Sequence, residues 1–410
     1  MRQHITAESS VPTIRRFRAP APGCLRLAGA VALSLALGAC AFASRDVFTA
    51  DEQAVAAVPG YGTVRVWGDA APRDIARAVI GPGVRPSPTR DINYLALSGG
   101  GAGGAFASGL LDGWTHSGRR PVFDVVSGVS TGALIAPFAF LGPAYDGVLA
   151  RLYTGEGIAN VAEPQNLFSI AAGDGLLDPA PLRRLVETYA NPDMLSAIAA
   201  EHRRGRRLLA VTTNLDAQRP VLWDLGAIAA SGRPDALALF RDVLVASASV
   251  PAVFPPVLIK AEAGPHPIQE MHVDGVATAQ IFIRPDILVA AGPPVPAALR
   301  RKIHVWAVVN NTLPPEFAVT APGTLPIAYR SLATIMKSQT SGLVTASFEA
   351  AHRLGIDFNL AYIDRAVEYK PQTPFASGYM DTVYAIGDRE AQDGTVWHKT
   401  LSGLAETAQR

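Results

Sequence analysis

Val122-Phe123-Asp124-Val125-Val126 is an apolar run of strand length, and it leads directly into Gly128-Val129-Ser130-Thr131-Gly132. A serine with glycines two residues before and two after it fits a tight strand-to-helix turn. The small neighbours let the backbone bend sharply and leave the hydroxyl exposed. The stretch from Thr131 to Phe140 then continues as a helix. A serine hydroxyl is a poor nucleophile until a base takes its proton. The stretch therefore asks where a base lies and which groups could hold an oxyanion. Alone it is weak, because a chain with 37 glycines in 410 residues also supplies glycine-rich turns with a capping serine.

Upstream, Ile92 to Leu97 is an apolar run of buried-strand length, followed by Ser98-Gly99-Gly100-Gly101-Ala102-Gly103-Gly104 and a helical stretch to about His116. Two readings compete for the glycines. Gly99, Gly101 and Gly104 satisfy the spacing of a dinucleotide loop. That loop also wants an acidic residue about twenty positions on, at the end of the next strand. Asp124 instead lies within the next predicted strand, which runs out into Ser127-Gly128-Val129-Ser130. The other reading is an oxyanion hole: consecutive glycines let backbone N–H groups converge on one point, and a helix N-terminus adds partial positive charge.

Downstream, the histidines His202, His266, His272, His304, His352 and His398 sit in no loop signature, and His272 and His304 fall within predicted strands. Asp274 differs. It stands in His272-Val273-Asp274-Gly275-Val276, at the end of a short predicted strand where a glycine opens the turn. Open α/β sheets build their sites at strand C-terminal ends, so this carboxylate can share a mouth with Ser130; a turn-stabilising Asp-Gly is the plainer alternative. The basic cluster His202-Arg203-Arg204-Gly205-Arg206-Arg207 reads as a solvated helix end, with anionic lipid head groups as the alternative partner.

Further strands are expected at 207–213, 220–225, 257–261, 270–273 and 302–309, and helices at 178–190, 194–203, 234–246, 326–354 and the end of 379–404. The alternation predicts an α/β fold, a three-layer α/β/α sandwich with a mainly parallel central sheet. A net charge of +1 argues against nucleic acid as the main partner. No spacing of a zinc finger, Walker A loop or metalloprotease occurs, and two cysteines, Cys24 and Cys40, make no disulfide framework.

At the N-terminus, Arg15, Arg16, Arg18 and Arg26 precede the uncharged run Leu27 to Leu37, and Leu37-Gly38-Ala39-Cys40 follows. This is the pattern of an export signal, too short for a comfortable membrane span. Its end resembles the lipobox of bacterial lipoproteins, which implies cleavage before a lipidated Cys40. By that analogy, Ala41 after the cysteine favours the outer membrane, facing the periplasm. An ordinary signal cleaved near Ala39 or Ala43 is the alternative. The long basic region is compatible with a start codon downstream of Met1. The expected organisation is a signal peptide with lipobox at 1–39, an Ala/Pro/Gly-rich extension or linker at 40–90, a catalytic core at 91–290, and the C-terminal part of the same α/β domain, with a helical end, at 291–410.

Ser98-Gly99-Gly100-Gly101, then Gly128-Val129-Ser130-Thr131-Gly132, then Asp274-Gly275, in this order, resemble the patatin-like phospholipase family. Thr212-Thr213-Asn214-Leu215-Asp216 with Arg219-Pro220-Val221, and Ala246-Ser247-Ala248-Ser249-Val250-Pro251 with Phe254-Pro255-Pro256, extend the resemblance over about residues 91–290. It implies a Ser-Asp dyad without a catalytic histidine. Ser130 would be the nucleophile and Asp274 its base, with the N–H groups of Gly99, Gly100 and Gly101 forming the oxyanion hole. No metal or cofactor is implied. The implied substrate is a phospholipid or other acyl-ester lipid, cleaved through an acyl-enzyme. Acyl transfer, or a non-catalytic envelope lipoprotein on the same scaffold, is the alternative. Two positions depart from the family pattern: Gly103 replaces an Arg or Lys, and Val276 replaces a Gly or Ala.

Overall fold

In the computed structural model, the sheet strands alternate their side chains between two separate apolar layers. Ile92, Tyr94 and Ala96 of β2 (Ile92–Leu97) enter one cluster, while Leu95 and Leu97 enter the other. The same split divides Leu209 and Val211 from Leu208 and Ala210 in β4 (Arg207–Asn214). A strand whose two faces are both covered reads as a continuous apolar run rather than as an alternation, and that is how these strands appear in the sequence. The structure describes residues 45–401 apart from 82–83, 156, 159–160, 162–176, 291 and 369–374. The chain divides into two units, Met1–Arg45 and Asp46–Arg410, and all the strands and helices named here belong to the second. The predicted signal peptide, lipobox and Cys40 lie outside the described residues.

The remaining strands are β1 (Arg65–Trp67), β3 (Val125–Val129), β5 (Arg219–Asp224), β6 (Val257–Ala263), β7 (His266–Asp274), β8 (Ile303–Val309) and β9 (Asp357–Tyr362). The sheet order is β1-β5-β4-β3-β2-β8-β9. The stretch β4-β3-β2-β8-β9 is parallel throughout. An antiparallel flank is built by β1 on β5, β5 on β4, and the β6–β7 hairpin on β4. The longer helices are α1 (Gly104–His116), α2 (Thr131–Leu141), α3 (Asp146–Tyr153), α4 (Pro179–Tyr189), α5 (Pro192–Arg203), α6 (Ala236–Ser247), α7 (Thr324–Leu354) and α8 (Ser377–Asp393). Helices α1 to α6 and α8 contribute to one apolar layer, and α7 to the other. The mainly parallel three-layer α/β/α expectation is thereby met.

Two expectations change. The stretch expected as an extension or linker contains β1 and a helical segment from Pro72 to Ile80, whose Ile75, Val79 and Ile80 are buried in the second layer. Its scattered glycines and prolines hide elements too short to show periodicity, and tertiary packing stabilises them. The basic cluster is a solvated helix end only in part: Arg203 and Arg204 are exposed at the end of α5, but the two arginines that follow turn inward. Arg206 donates to the carbonyls of Phe123 and Phe140 and pairs with Glu201, and Arg207 donates to the carbonyls of His202 and Arg206. These cations close a helix C-terminus and adjoining loops, where unpaired carbonyls carry partial negative charge.

Candidate active site

Strand β3 ends at Val129 and α2 begins at Thr131, so Ser130 alone makes the turn. Its φ is 56° and its ψ −126°, a positive φ that side chains other than glycine rarely adopt. Such strain persists only where the surroundings impose it. Here a Cβ on Gly128 would stand 2.3 Å from the Gly132 carbonyl oxygen, and one on Gly132 would stand 2.4 Å from that of Leu97. The flanking glycines are thus close-approach positions. The Ser130 N–H donates to Ser247 Oγ at 3.1 Å, and Ser247 Oγ donates to the Val211 carbonyl at 2.7 Å. The elbow is held from the end of α6 and from β4.

Asp274 closes β7, opposite Thr212 of β4. Its N–H donates to the Ser249 carbonyl at 2.9 Å. Ser130 Oγ donates to Asp274 Oδ2 at 2.6 Å, and the Val276 N–H donates to Oδ1 at 3.0 Å. The carboxyl is fully buried, and burial pushes it up to about 7, against the opposing pull of Ser130 and the Val276 amide. The two residues, 144 positions apart in sequence, meet because parallel β3 and the antiparallel hairpin both end beside β4. His272 takes no part in this contact. Its ring bonds Glu270 and Thr212, and Thr212 also accepts from the Trp223 indole.

The glycine loop lies between β2 and α1. Of the three expected donors, Gly99 is corrected: its N–H already donates to the Gln280 carbonyl at 2.9 Å. A backbone N–H engaged in that way is not available to an oxyanion. Among the described residues, the Gly100 and Gly101 N–H groups have no hydrogen-bond acceptor, and both glycines have positive φ. The two departures from the family pattern acquire physical reasons. A Cβ on Gly103 would stand 2.1 Å from the Asn310 carbonyl oxygen, so no side chain fits there. Val276 Cγ1 stands 2.7 Å from the place of a Cβ on Gly99, so it fills the space beside that glycine.

Three residues escape the sequence reading of the site. Asn310, just past β8, receives no signal except its place at a strand C-terminal end. Its N–H donates to Ser98 Oγ and its side-chain amide to the Ser98 carbonyl, both at 2.8 Å, while Oδ1 accepts from the Ala107 N–H at 3.3 Å. It clamps the glycine loop from the neighbouring strand. Ser247 is visible only as part of the 246–251 segment. Gln280 is 4% exposed and keeps a side-chain N–H group without a partner. Along α2, one turn past Ser130, Leu134, Pro137, Phe138, Tyr153, Leu185 and Met194 line a small apolar pocket.

Among known structures, the crystal structure of VipD from Legionella pneumophila is similar, with 12% sequence identity, a TM-score of 0.34, and coverage of 74% of this chain and 68% of that one. No curated protein matches the chain. The family model described as patatin-like phospholipase matches residues 95–287, a span that opens in β2 and holds both Ser130 and Asp274. Residues 95–287 are a domain of the patatin-like phospholipase family.

Proposed function

We propose that this chain is a serine acyl hydrolase that cleaves fatty-acyl esters of membrane lipids, as a phospholipase A or lysophospholipase. The observation that carries the proposal is the 2.6 Å bond from Ser130 Oγ to the fully buried Asp274 carboxyl, whose oxygens meet a hydroxyl and an amide rather than a cation. A carboxylate kept from cationic partners and tuned to near 7 is a base matched to neutral pH. Asp274 takes the Ser130 proton as Oγ bonds to the ester carbonyl carbon. The Gly100 and Gly101 N–H groups receive the oxygen that becomes negative. The intermediate collapses to an acyl-enzyme, with the proton passing from Asp274 to the departing alcohol oxygen. Water, deprotonated by the same carboxylate, attacks the acyl carbonyl carbon; the bond to Oγ then breaks, Asp274 returns the proton to Ser130 Oγ, and the fatty acid leaves. Lipidation at Cys40, which would tether the protein to the outer membrane on its periplasmic side, is part of the same proposal.

A fluorophosphonate probe tests it. The wild-type protein is expected to be labelled and Ser130→Ala is not. Folded wild-type protein that takes no label would show a non-catalytic scaffold. Product analysis on mixed phospholipids then identifies the ester cleaved.

A further inference from the structure

Helix α7 is 31 residues long and packs mainly through its second half: Val344 and Ala351 are fully buried, whereas Ile327, Tyr329, Leu332 and Ile335 are exposed, Ile335 by 64%. The preceding segment exposes Phe317 and Val319 as well. Tyr329, Leu332 and Ile335 follow one another at three-residue spacing, which places them along one side of the helix. Contiguous exposed apolar surface of this kind marks an interaction site.

Two contacts fix where this surface lies. Gln339 donates to the Thr278 carbonyl at 3.0 Å, in the turn that leaves Asp274. Lys337 donates to Thr312 Oγ1 at 2.7 Å, two residues past the loop clamp Asn310. The exposed half of α7 therefore springs from both walls of the Ser130 site. From Phe317 to Phe348 there is no acidic residue, but both cations of that stretch are tied to Glu316 just before it: Lys337 pairs with its carboxylate and Arg330 donates to its carbonyl.

We infer that the N-terminal half of α7, with the 317–319 segment, is a docking surface for a lipid bilayer, and that it brings the mouth of the site onto the membrane. The inference rests on the lipid-hydrolase reading above for the substrate. Apolar side chains enter the interface, as on a helix lying in the plane of a membrane. Among the described residues, no helix is long and apolar enough to cross a membrane.

The test uses the full chain as Ser130→Ala, with Cys24→Ser and Cys40→Ser, and an environment-sensitive nitrobenzoxadiazole dye on Leu332→Cys. Vesicles of phosphatidylethanolamine and phosphatidylglycerol are expected to shift the dye emission to the blue; an unshifted emission overturns the docking surface and leaves the hydrolase reading intact. In the active protein, Leu332→Asp with Ile335→Asp is expected to lower vesicle hydrolysis about tenfold, with hydrolysis of a monomeric short-chain ester unchanged. An equal fall on both substrates, or on neither, overturns it. So does a lipid-free dimer that the same two aspartates dissociate, since a second copy would then cover the face. Absence of fluorophosphonate labelling, by contrast, sinks the hydrolase reading alone.

The point where a Cβ on Gly99 would stand is 3.2 Å from Ser130 Cβ and 3.3 Å from Gln280 Oε1, so the amide flanks the nucleophile. Its Nε2 is buried without a partner, so no hydrogen bond from that atom holds the amide in this orientation, and a half-turn places the N–H group where Oε1 stands on the Ser130 side. The geometry points to Gln280 as a further donor to the oxygen of the reacting ester carbonyl. Gln280→Met keeps the shape and removes the donor. It is expected to slow acylation and kcat about 10- to 100-fold at unchanged KM and thermal midpoint. An unchanged kcat overturns the role. So does a fall in kcat that both Gln280→Met and Gln280→Leu accompany with unfolding.

Discussion

Glu270 and Asp274 lie four residues apart on β7 and are both fully buried, yet their charge states are driven in opposite directions. For Asp274 burial dominates, and a hydroxyl and one amide leave it at about 7. Burial would raise Glu270 too, but bonds to His272 and Arg65 outweigh it and hold it at about 2. Arg65 reaches both Glu270 oxygens, and Gln53 donates to Oε1 at 2.5 Å. The contrast shows that burial makes a carboxyl sensitive, while its company decides what it does. With a cation it remains charged and ties β1 and the 46–90 stretch to the hairpin. Without one it is poised to exchange a proton.

The largest expected effect separates these roles outright. Ser130→Ala and Asp274→Asn should each lower ester hydrolysis by about a thousandfold or more while the protein remains folded, as steady-state kinetics beside circular dichroism would show. Glu270→Gln should do the reverse. Stranding the part-buried Arg65 costs up to about 3 kcal/mol in denaturant unfolding, with fluorophosphonate labelling retained in the molecules that remain folded. Should Glu270→Gln abolish ester hydrolysis without destabilising the protein, the division between the two carboxyls is wrong.

The pH dependences should also run in opposite senses. Asp274 has a raised folded pKa, so its contribution to stability is complete below about 4 and is lost as pH rises through about 7. Relative to wild type, Asp274→Asn should therefore gain stability across that window, by up to about 4 kcal/mol. Glu270 has a lowered folded pKa, so its contribution is complete above about 4.5 and is lost as pH falls towards 2. Paired unfolding curves measure both, and parallel profiles would erase the contrast. Activity should follow Asp274, rising with pH through about 7 as the carboxylate forms. The smallest effect is steric. Gly103→Ala should cost about 1–3 kcal/mol and lower kcat, because its Cβ meets the Asn310 carbonyl 2.1 Å away.

Much of the site is legible in the sequence because its parts are local. The elbow is a run of consecutive residues, the glycine loop is another, and Asp274-Gly275 is a dipeptide at a strand end. The rest is not local. Ser247 reaches the Ser130 N–H over 117 positions, and Asn310 reaches Ser98 over 212, so neither carries a mark that distinguishes it from any other polar residue. Gln280 is likewise silent, since its significance is an amide left without a partner. Strand β9 and the short elements of 46–90 also leave no clear pattern, for their stability comes from neighbours rather than from periodicity.

The sequence by itself determined the alternation of strands and helices, the sharp turn at Ser130, and the order of the three family motifs, because period, glycine placement and dipeptide chemistry act over a few residues. Tertiary structure decided which groups are free to act. Gly99 lost its donor to the Gln280 carbonyl, Gly103 became obligatory beneath Asn310, and two carboxyls on one strand were given opposite charge tendencies. Each of these outcomes depends on a partner brought within about 3 Å from a remote part of the chain, where hydrogen bonding and desolvation take effect.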